Sequence, residues 1–195
     1  LRMGGHVSAS DFGHESPGRT GPRVLIIVPA LNEQDVVGDV VREIARALPD
    51  AVALVIDDGS RDETAAVARA AGARVVRMPF NTGIGTAVQT GFKVAFEEGF
   101  DIAVQVDGDG QHPADQVCRL LDALTATGAN YAIGSRFADP TAYRASFARR
   151  GGITVFAWLV SLLIGQRVTD TTSGLRAADR ATIRLFAEHY PHDYP

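Results

Sequence analysis

Two carboxylates one residue apart close an apolar run in this chain: Ala103-Val104-Gln105-Val106-Asp107-Gly108-Asp109-Gly110-Gln111-His112-Pro113. On extended backbone, residues two apart share a face. Asp107 and Asp109 would therefore repel each other and raise one pKa unless a cation compensates. A divalent ion shared with a substrate diphosphate is one solution, and Gln111 could add a neutral oxygen. The bland alternative is an Asx turn capping the helix that Pro113 begins. His112 is open to three readings: metal ligand, base or cap.

Three further polar clusters follow apolar runs in the same way: Asn32/Glu33, Asp57/Asp58 and Ser135/Arg136. Asp57-Asp58-Gly59-Ser60 could simply cap a helix. Ser60-Arg61-Asp62-Glu63 has the form of a capping box, with Ser60 as N-cap. A cap does not need the second aspartate, so Asp58 is free to accept from a nucleoside base or ribose hydroxyl. Gly83-Ile84-Gly85 suggests a dinucleotide loop but lacks its third glycine, because Val88 stands there. A tight helix start suits it better. No Gly-Lys-Ser/Thr occurs, which excludes a P-loop. Arg136 is placed to pair with phosphate. Arg144, Arg149 and Arg150, taken singly, read as solvated charge.

The elements that must position these clusters alternate. Strands are predicted over Arg23–Ala30, Ala51–Ile56, Arg74–Met78, Asp101–Val106 and Asn130–Gly134, with helices over Gln34–Leu48, Ser60–Ala71, a stretch ending at Glu98, and Pro113 to about Thr125. The first helix carries Val37, Val40, Val41, Ile44 and Leu48 at helical spacing. Alternation of this kind predicts an α/β fold, a three-layer sandwich about a mainly parallel sheet. Ligands of such sheets sit beyond the carboxyl ends of the strands, where all four clusters fall. Beyond Arg136 the pattern changes: a polar loop at 138–146, an apolar helix at 147–164, a turn-rich segment around Thr169–Gly174, and a last helix from near Asp179.

Bulk composition narrows the class. The chain has 195 residues, 46% of them hydrophobic and 22% charged, so one domain with a substantial core is expected. A net charge of −4 without a basic stripe excludes nucleic acid as a partner. One cysteine, Cys118, forbids an intrachain disulfide, fits a reducing compartment and reads as an inert buried thiol. Residues 1–22 read as a disordered N-terminal tail without a leader's apolar core. Residues 23–195 read as the catalytic domain, C-terminally incomplete. The apolar run Ile153–Ile164 is too short to span a bilayer, which needs roughly 20 residues. It suits a buried helix or one lying in a membrane interface.

Five motifs in order carry a resemblance. Val28-Pro29-Ala30-Leu31-Asn32-Glu33, Val55-Ile56-Asp57-Asp58-Gly59-Ser60, Val106-Asp107-Gly108-Asp109-Gly110-Gln111-His112-Pro113, Gly134-Ser135-Arg136-Phe137 and Asp170-Thr171-Thr172-Ser173-Gly174-Leu175-Arg176 together resemble family 2 glycosyltransferases of GT-A fold. More narrowly, the chain is similar to dolichyl-phosphate and polyprenyl-phosphate mannosyl- and glucosyltransferases. The resemblance implies a nucleotide pocket lined by Pro29, Leu31 and Glu33, with Ile56 and Asp58 holding base and ribose. It implies Mg2+ or Mn2+ on Asp107, Asp109 and Gln111, with Gly108 beside the sugar diphosphate. Asp109 and Arg136 would be catalytic, Arg136 facing the transferred sugar, and Arg144 and Arg149 would hold an acceptor phosphate. The implied donor is a nucleoside-diphosphate sugar (GDP-mannose or UDP-glucose). The implied acceptor is a polyprenyl phosphate, and the implied location is cytoplasmic with peripheral contact at a membrane face.

Three departures stand out. Leu31 replaces an aromatic residue usual in the mannosyl enzymes, Gly108 replaces an alanine, and basic residues expected downstream are not reached. The implied reaction inverts the anomeric centre. A phosphate acceptor is already an anion and needs no general base, which suits a chain with no clear base beyond its metal-site aspartates. The rivals are a family 2 enzyme glycosylating a polysaccharide, a nucleotidyltransferase, and a non-catalytic nucleotide-sugar-binding subunit. The nucleotidyltransferase would want a Gly-rich basic loop after the first strand, where Pro29-Ala30-Leu31-Asn32-Glu33 stands.

Overall fold

A computed structural model describes residues 21–108, 110, 114–134 and 174–190. The strands are β1 (Val24–Ala30), β2 (Val52–Asp57), β3 (Arg74–Arg77), β4 (Ile102–Gln105), β5 (Tyr131–Ile133) and β6 (Arg176–Asp179). The helices are α1 (Val37–Ala47), α2 (Thr64–Ala70), α3 (Ile84–Glu97), α4 (Ala114–Thr127) and α5 (Arg180–Glu188). The strands form one sheet in the order β3-β2-β1-β4-β6-β5. β1, β2, β3 and β4 pair in parallel, while β6 runs antiparallel to both of its neighbours.

Period-2 alternation along the strands feeds two cores. Ile26, Val28, Val55 and Val104 face one side, where α1 supplies Val37, Val40, Val41 and Ile44 and α4 supplies Val117, Leu120 and Leu124. Leu25, Ile27, Leu54 and Ile56 face the other, against Ala87, Val88 and Phe92 of α3 and Ile183 of α5. Near-continuous apolar strands are what two covered faces require. α3 lies so close to β1 that a Cβ at Gly91 would run into the Ile27 side chain. Phe186 packs edge to face on Phe92, Tyr131 and Tyr190, with centroids 5.1 to 5.5 Å apart, and Tyr190 lies tilted on Phe92 at 5.9 Å; the cluster binds α3, α5 and β5 together. Burial raises the pKa of both tyrosines; a hydrogen bond from Arg176 to each works in the opposite direction.

Several predicted boundaries move, each for a physical reason. α1 starts at Val37, not Gln34, because Gln34 serves a neighbouring loop: its Oε1 accepts from Glu63 N at 3.0 Å. The capping box does not form. α2 starts at Thr64, and the Ser60 hydroxyl instead accepts from Asn32 N at 2.9 Å. Between the turn-rich segment and the last helix lies β6, where no strand was predicted; its sequence Arg-Ala-Ala-Asp carries no β-branched residue. β6 inserts between β4 and β5, so β5 keeps the direction of the parallel strands without touching them. Cys118 is half-buried rather than buried.

Candidate functional site

Chain order and sheet order diverge at β1. From there β2 and β3 extend the sheet on one side, and β4 starts it on the other. Such a switch point leaves a crevice beyond the carboxyl ends of the two diverging strands. A cleft of about 510 Å³ opens there. Its walls come from the end of β1 (Pro29, Ala30, Leu31, Glu33), the end of β4 (Asp107, Gly108), Asp58 after β2, and the start of α3 (Asn81, Gly83, Ile84).

The loops around the cleft are laced together. The β1–α1 and β2–α2 segments exchange five bonds between backbone and side chain, one of them the Glu63 N to Gln34 Oε1 bond already described. Asn32 N donates to Ser60 Oγ, Arg61 N to Asn32 Oδ1 at 3.0 Å, Glu33 N to Thr64 Oγ1 at 2.8 Å, and Gln34 N to Asp62 Oδ2 at 3.2 Å. Asn32 adopts φ 57°, a left-handed conformation that asparagine tolerates better than most residues. The Asp62 carboxyl is held below its usual range, chiefly by the Thr64 hydroxyl. Glu33, on this braced loop, is thereby delivered to the cleft.

The two aspartates after β2 divide their work. Asp57 is fully buried: Oδ1 accepts from Ser60 N at 2.9 Å, and Oδ2 lies 3.2 Å from Arg77 Nε. It braces the turn and does not line the cleft. Asp58 lines the cleft at 4% exposure. Its Oδ1 accepts from Thr82 N and Thr82 Oγ1, both at 2.7 Å, and its Oδ2 from Gly83 N at 2.9 Å. It therefore fixes the start of α3, where Gly83 takes φ 89°.

Asp107 projects from the end of β4 into the same cleft. Two glycines fit around it. A Cβ at Gly108 would come within 2.8 Å of the Pro29 carbonyl, so a side chain there would crowd β1. A Cβ at Gly174 would overlap the Asp107 carboxylate itself. Gly174 leads into β6, so the last of the five motifs packs directly on the acidic one. Sequence order gave no sign of this contact; the signal was a glycine in a polar motif.

Of the predicted site residues, Pro29, Leu31, Glu33, Asp58, Asp107 and Gly108 come together in one cleft. Ile56 does not: it is fully buried among Leu25, Ile27 and Leu54, so its side chain serves the core. Asp109, Gln111, His112, Arg136, Arg144 and Arg149 lie outside the described residues. Asn81, Gly83 and Ile84 were not singled out as binding residues, since their loop read only as a helix start. Among the described residues lining the cleft, three are carboxylates and none is lysine or arginine. An anionic diphosphate would need a cation there, and all-oxygen donors suit a hard divalent ion. No group of three acidic, histidine or cysteine side chains converges among the described residues. Asp107 would thus need oxygens such as those of Asp109 and Gln111.

Comparison with known proteins agrees with this geometry. The chain is 34% identical over 178 residues to polyprenol monophosphomannose synthase of Mycolicibacterium smegmatis, covering 87% of this chain and 67% of that protein. It is 28% identical over 183 residues to a UDP-N-acetylglucosamine–dolichyl-phosphate N-acetylglucosaminyltransferase of Methanococcus voltae, covering 85% and 72%. Glucosyl-3-phosphoglycerate synthase of Mycobacterium tuberculosis superposes with a TM-score of 0.63 at 25% identity, in a crystal structure with Mn2+, UDP-glucose and phosphoglyceric acid; the match covers 86% of this chain and 63% of that one. The chain thus spans less than two thirds of that solved structure. A model of glycosyl transferase family 2 matches residues 25–185, and the chain belongs to that family.

Proposed function

We propose that the chain is the catalytic domain of an inverting, metal-dependent hexosyltransferase that moves a sugar, mannose or glucose, from a nucleoside-diphosphate sugar to a polyprenyl phosphate. The observation that carries the reading is the cleft at the β1/β4 switch point, where Glu33, Asp58, Asp107 and the start of α3 converge. Relatives named for transfer to dolichyl and polyprenyl phosphate support the acceptor. A solved relative holding Mn2+ and UDP-glucose supports the donor class and the metal, Mn2+ or Mg2+.

In this reading Pro29, Leu31 and Glu33 hold the nucleoside, and Asp58 keeps the α3 start in place beneath it. Asp107, with Asp109 and Gln111, would hold the divalent ion, which when bound supplies Lewis-acid stabilisation of the departing diphosphate. Arg136 would orient the transferred sugar, and Arg144 and Arg149 the acceptor phosphate. The phosphate acceptor attacks as an anion, forming the new glycosidic C–O bond at the anomeric carbon while the bond to the nucleoside diphosphate breaks. No helix among the described residues is long and apolar enough to cross a membrane. In this reading the lipid acceptor is met at a membrane face.

The test is transfer of labelled sugar from UDP-glucose and GDP-mannose, with Mn2+, to a short polyprenyl phosphate and in parallel to 3-phosphoglycerate. Lipid-linked label is expected, and Asp109→Ala should abolish it with the fold retained by circular dichroism. Transfer only to 3-phosphoglycerate would overturn the lipid acceptor. Full activity of Asp109→Ala would overturn the metal site.

A further inference from the structure

The acidic stretch at the end of β4 is tied down at three points. Gly108 lies against β1, where an added Cβ would meet Pro29 O, Ala30 Cβ and Val28 Cγ1. Gly110 takes φ 75°, and a Cβ there would come within 3.1 Å of Val36 Cγ1 and 3.8 Å of Val40 Cγ2. Ala114, the first residue of α4, donates its N–H to Glu43 Oε1 at 3.0 Å across 71 residues of chain. Val36, Val40 and Glu43 are spaced i, i+4, i+7, which puts them in one stripe along α1 and its N-cap.

Which residues these ties bracket decides what they do. Asp109 and Gln111 are the chain neighbours of Gly110, and consecutive Cα atoms lie about 3.8 Å apart. Seating Gly110 on α1 therefore confines the backbone on both sides of it. The same stripe braces the β1 wall of the cleft, since Val36 N and Val37 N donate to Glu33 O at 3.1 and 2.9 Å. The Glu43 bond also differs from an ordinary cap. α5 is capped by its own N-cap residue, Asp179, whereas α4 takes a side-chain acceptor from another helix.

We propose that α1 is the seat of the metal-holding loop and that Glu43 is a positioning residue for it. Glu43 fixes the α4 end of the loop, while Val36 and Val40 fix its middle at Gly110. The inference rests on the nucleotide-sugar reading, with its divalent ion on Asp107, Asp109 and Gln111, and deepens it by naming what holds those oxygens at one spacing. Two carboxylates so close in sequence repel each other. Bringing them together around an ion also costs the conformational entropy of the loop that carries them. A loop already tied at Gly108, Gly110 and Ala114 has met most of that cost before the ion arrives. Metal affinity then depends on a hydrogen bond made outside the ligand set.

Titration of the full chain with Mn2+, read by paramagnetic resonance of the free ion, tests it alongside thermal unfolding. Glu43→Ala should weaken Mn2+ binding about fivefold, the effect of one lost cap bond. Glu43→Gln keeps Oε1 as an acceptor without the charge and should bind Mn2+ nearly as the unaltered chain does. Val36→Ala, which removes the contact at Gly110, should weaken it severalfold. If Glu43→Ala lowers thermal stability but leaves Mn2+ affinity unchanged, the bond is a helix cap alone and the proposal is overturned. Equal losses in Glu43→Ala and Glu43→Gln would trace the effect to charge and overturn it as well. Unchanged affinity in Val36→Ala would overturn the seat at Gly110. Each of these results leaves the nucleotide-sugar reading intact. If the unaltered chain binds no Mn2+, the metal assignment falls and the proposal with it.

Discussion

Gly174 shows how much a single residue decides here. It has no side chain to offer, yet the Asp107 carboxylate occupies the space a Cβ would need. Gly174→Ala should therefore displace Asp107 and weaken Mn2+ binding about tenfold or more, read by paramagnetic resonance of the free ion. Thermal stability should fall less, because the displaced group lies at a cleft rather than in a core. Gly108→Ala meets backbone instead, the Pro29 carbonyl at 2.8 Å, and should cost about 1–3 kcal/mol by urea denaturation. Both glycines sit in motifs visible in the sequence. The reason for them was not visible, because each is defined by an atom 67 or more residues away in one case and on another strand in the other. Asp58 was legible as a functional candidate for a related reason: a cap needs only one of two adjacent aspartates. Its three bonds to Thr82 and Gly83 could not be foreseen, since nothing local ties residue 58 to the start of α3.

At the level of elements, β1, β2, β4 and α1 were legible because their apolar patterns are long and their burial two-sided or strictly periodic. β6 was not. Its four residues gain strand geometry only from β4 and β5 on either side, a case of tertiary context overriding propensity. The capping box failed for a comparable reason: Ser60 satisfies a neighbouring loop instead of its own helix. α5 does have a side-chain cap, Asp179, whose Oδ1 accepts from Thr182 N at 2.8 Å. Partial burial would raise the Asp179 pKa, but the bonds from Thr182 and Asn130 outweigh it, and the net shift is downward. A lowered folded-state pKa adds stability that is present above the ordinary carboxylate value of about 3.9 and is lost as pH falls through the folded value. Asp179→Ala should cost about 1 kcal/mol at neutral pH. The difference between variant and parent should shrink on acidification below about pH 4, as followed by denaturation at several pH values.

Across the whole molecule, the sheet is joined in two stages. β1 to β4 form a parallel block with a two-sided core, and β5 joins the sheet by pairing with β6. Truncation after residue 134 would leave β5 without a partner strand and remove Ile183 and Tyr190 from the core beneath α3. Such a chain should lose cooperative thermal unfolding and bind a hydrophobic dye, whereas truncation after residue 190 should do neither. The cleft lies wholly at the junction of the parallel block, but Gly174, the neighbour of Asp107, arrives with the second stage.

That order of joining has a consequence for the chain as it leaves the ribosome. β5 is made some forty residues before β6, yet it cannot be zipped into the sheet until β6 has emerged. During that interval β4 is an open edge with unsatisfied backbone groups, the kind of surface on which nascent chains pair with one another. Co-translational folding should therefore complete late and abruptly, and faster elongation through residues 135–175 should raise the soluble yield.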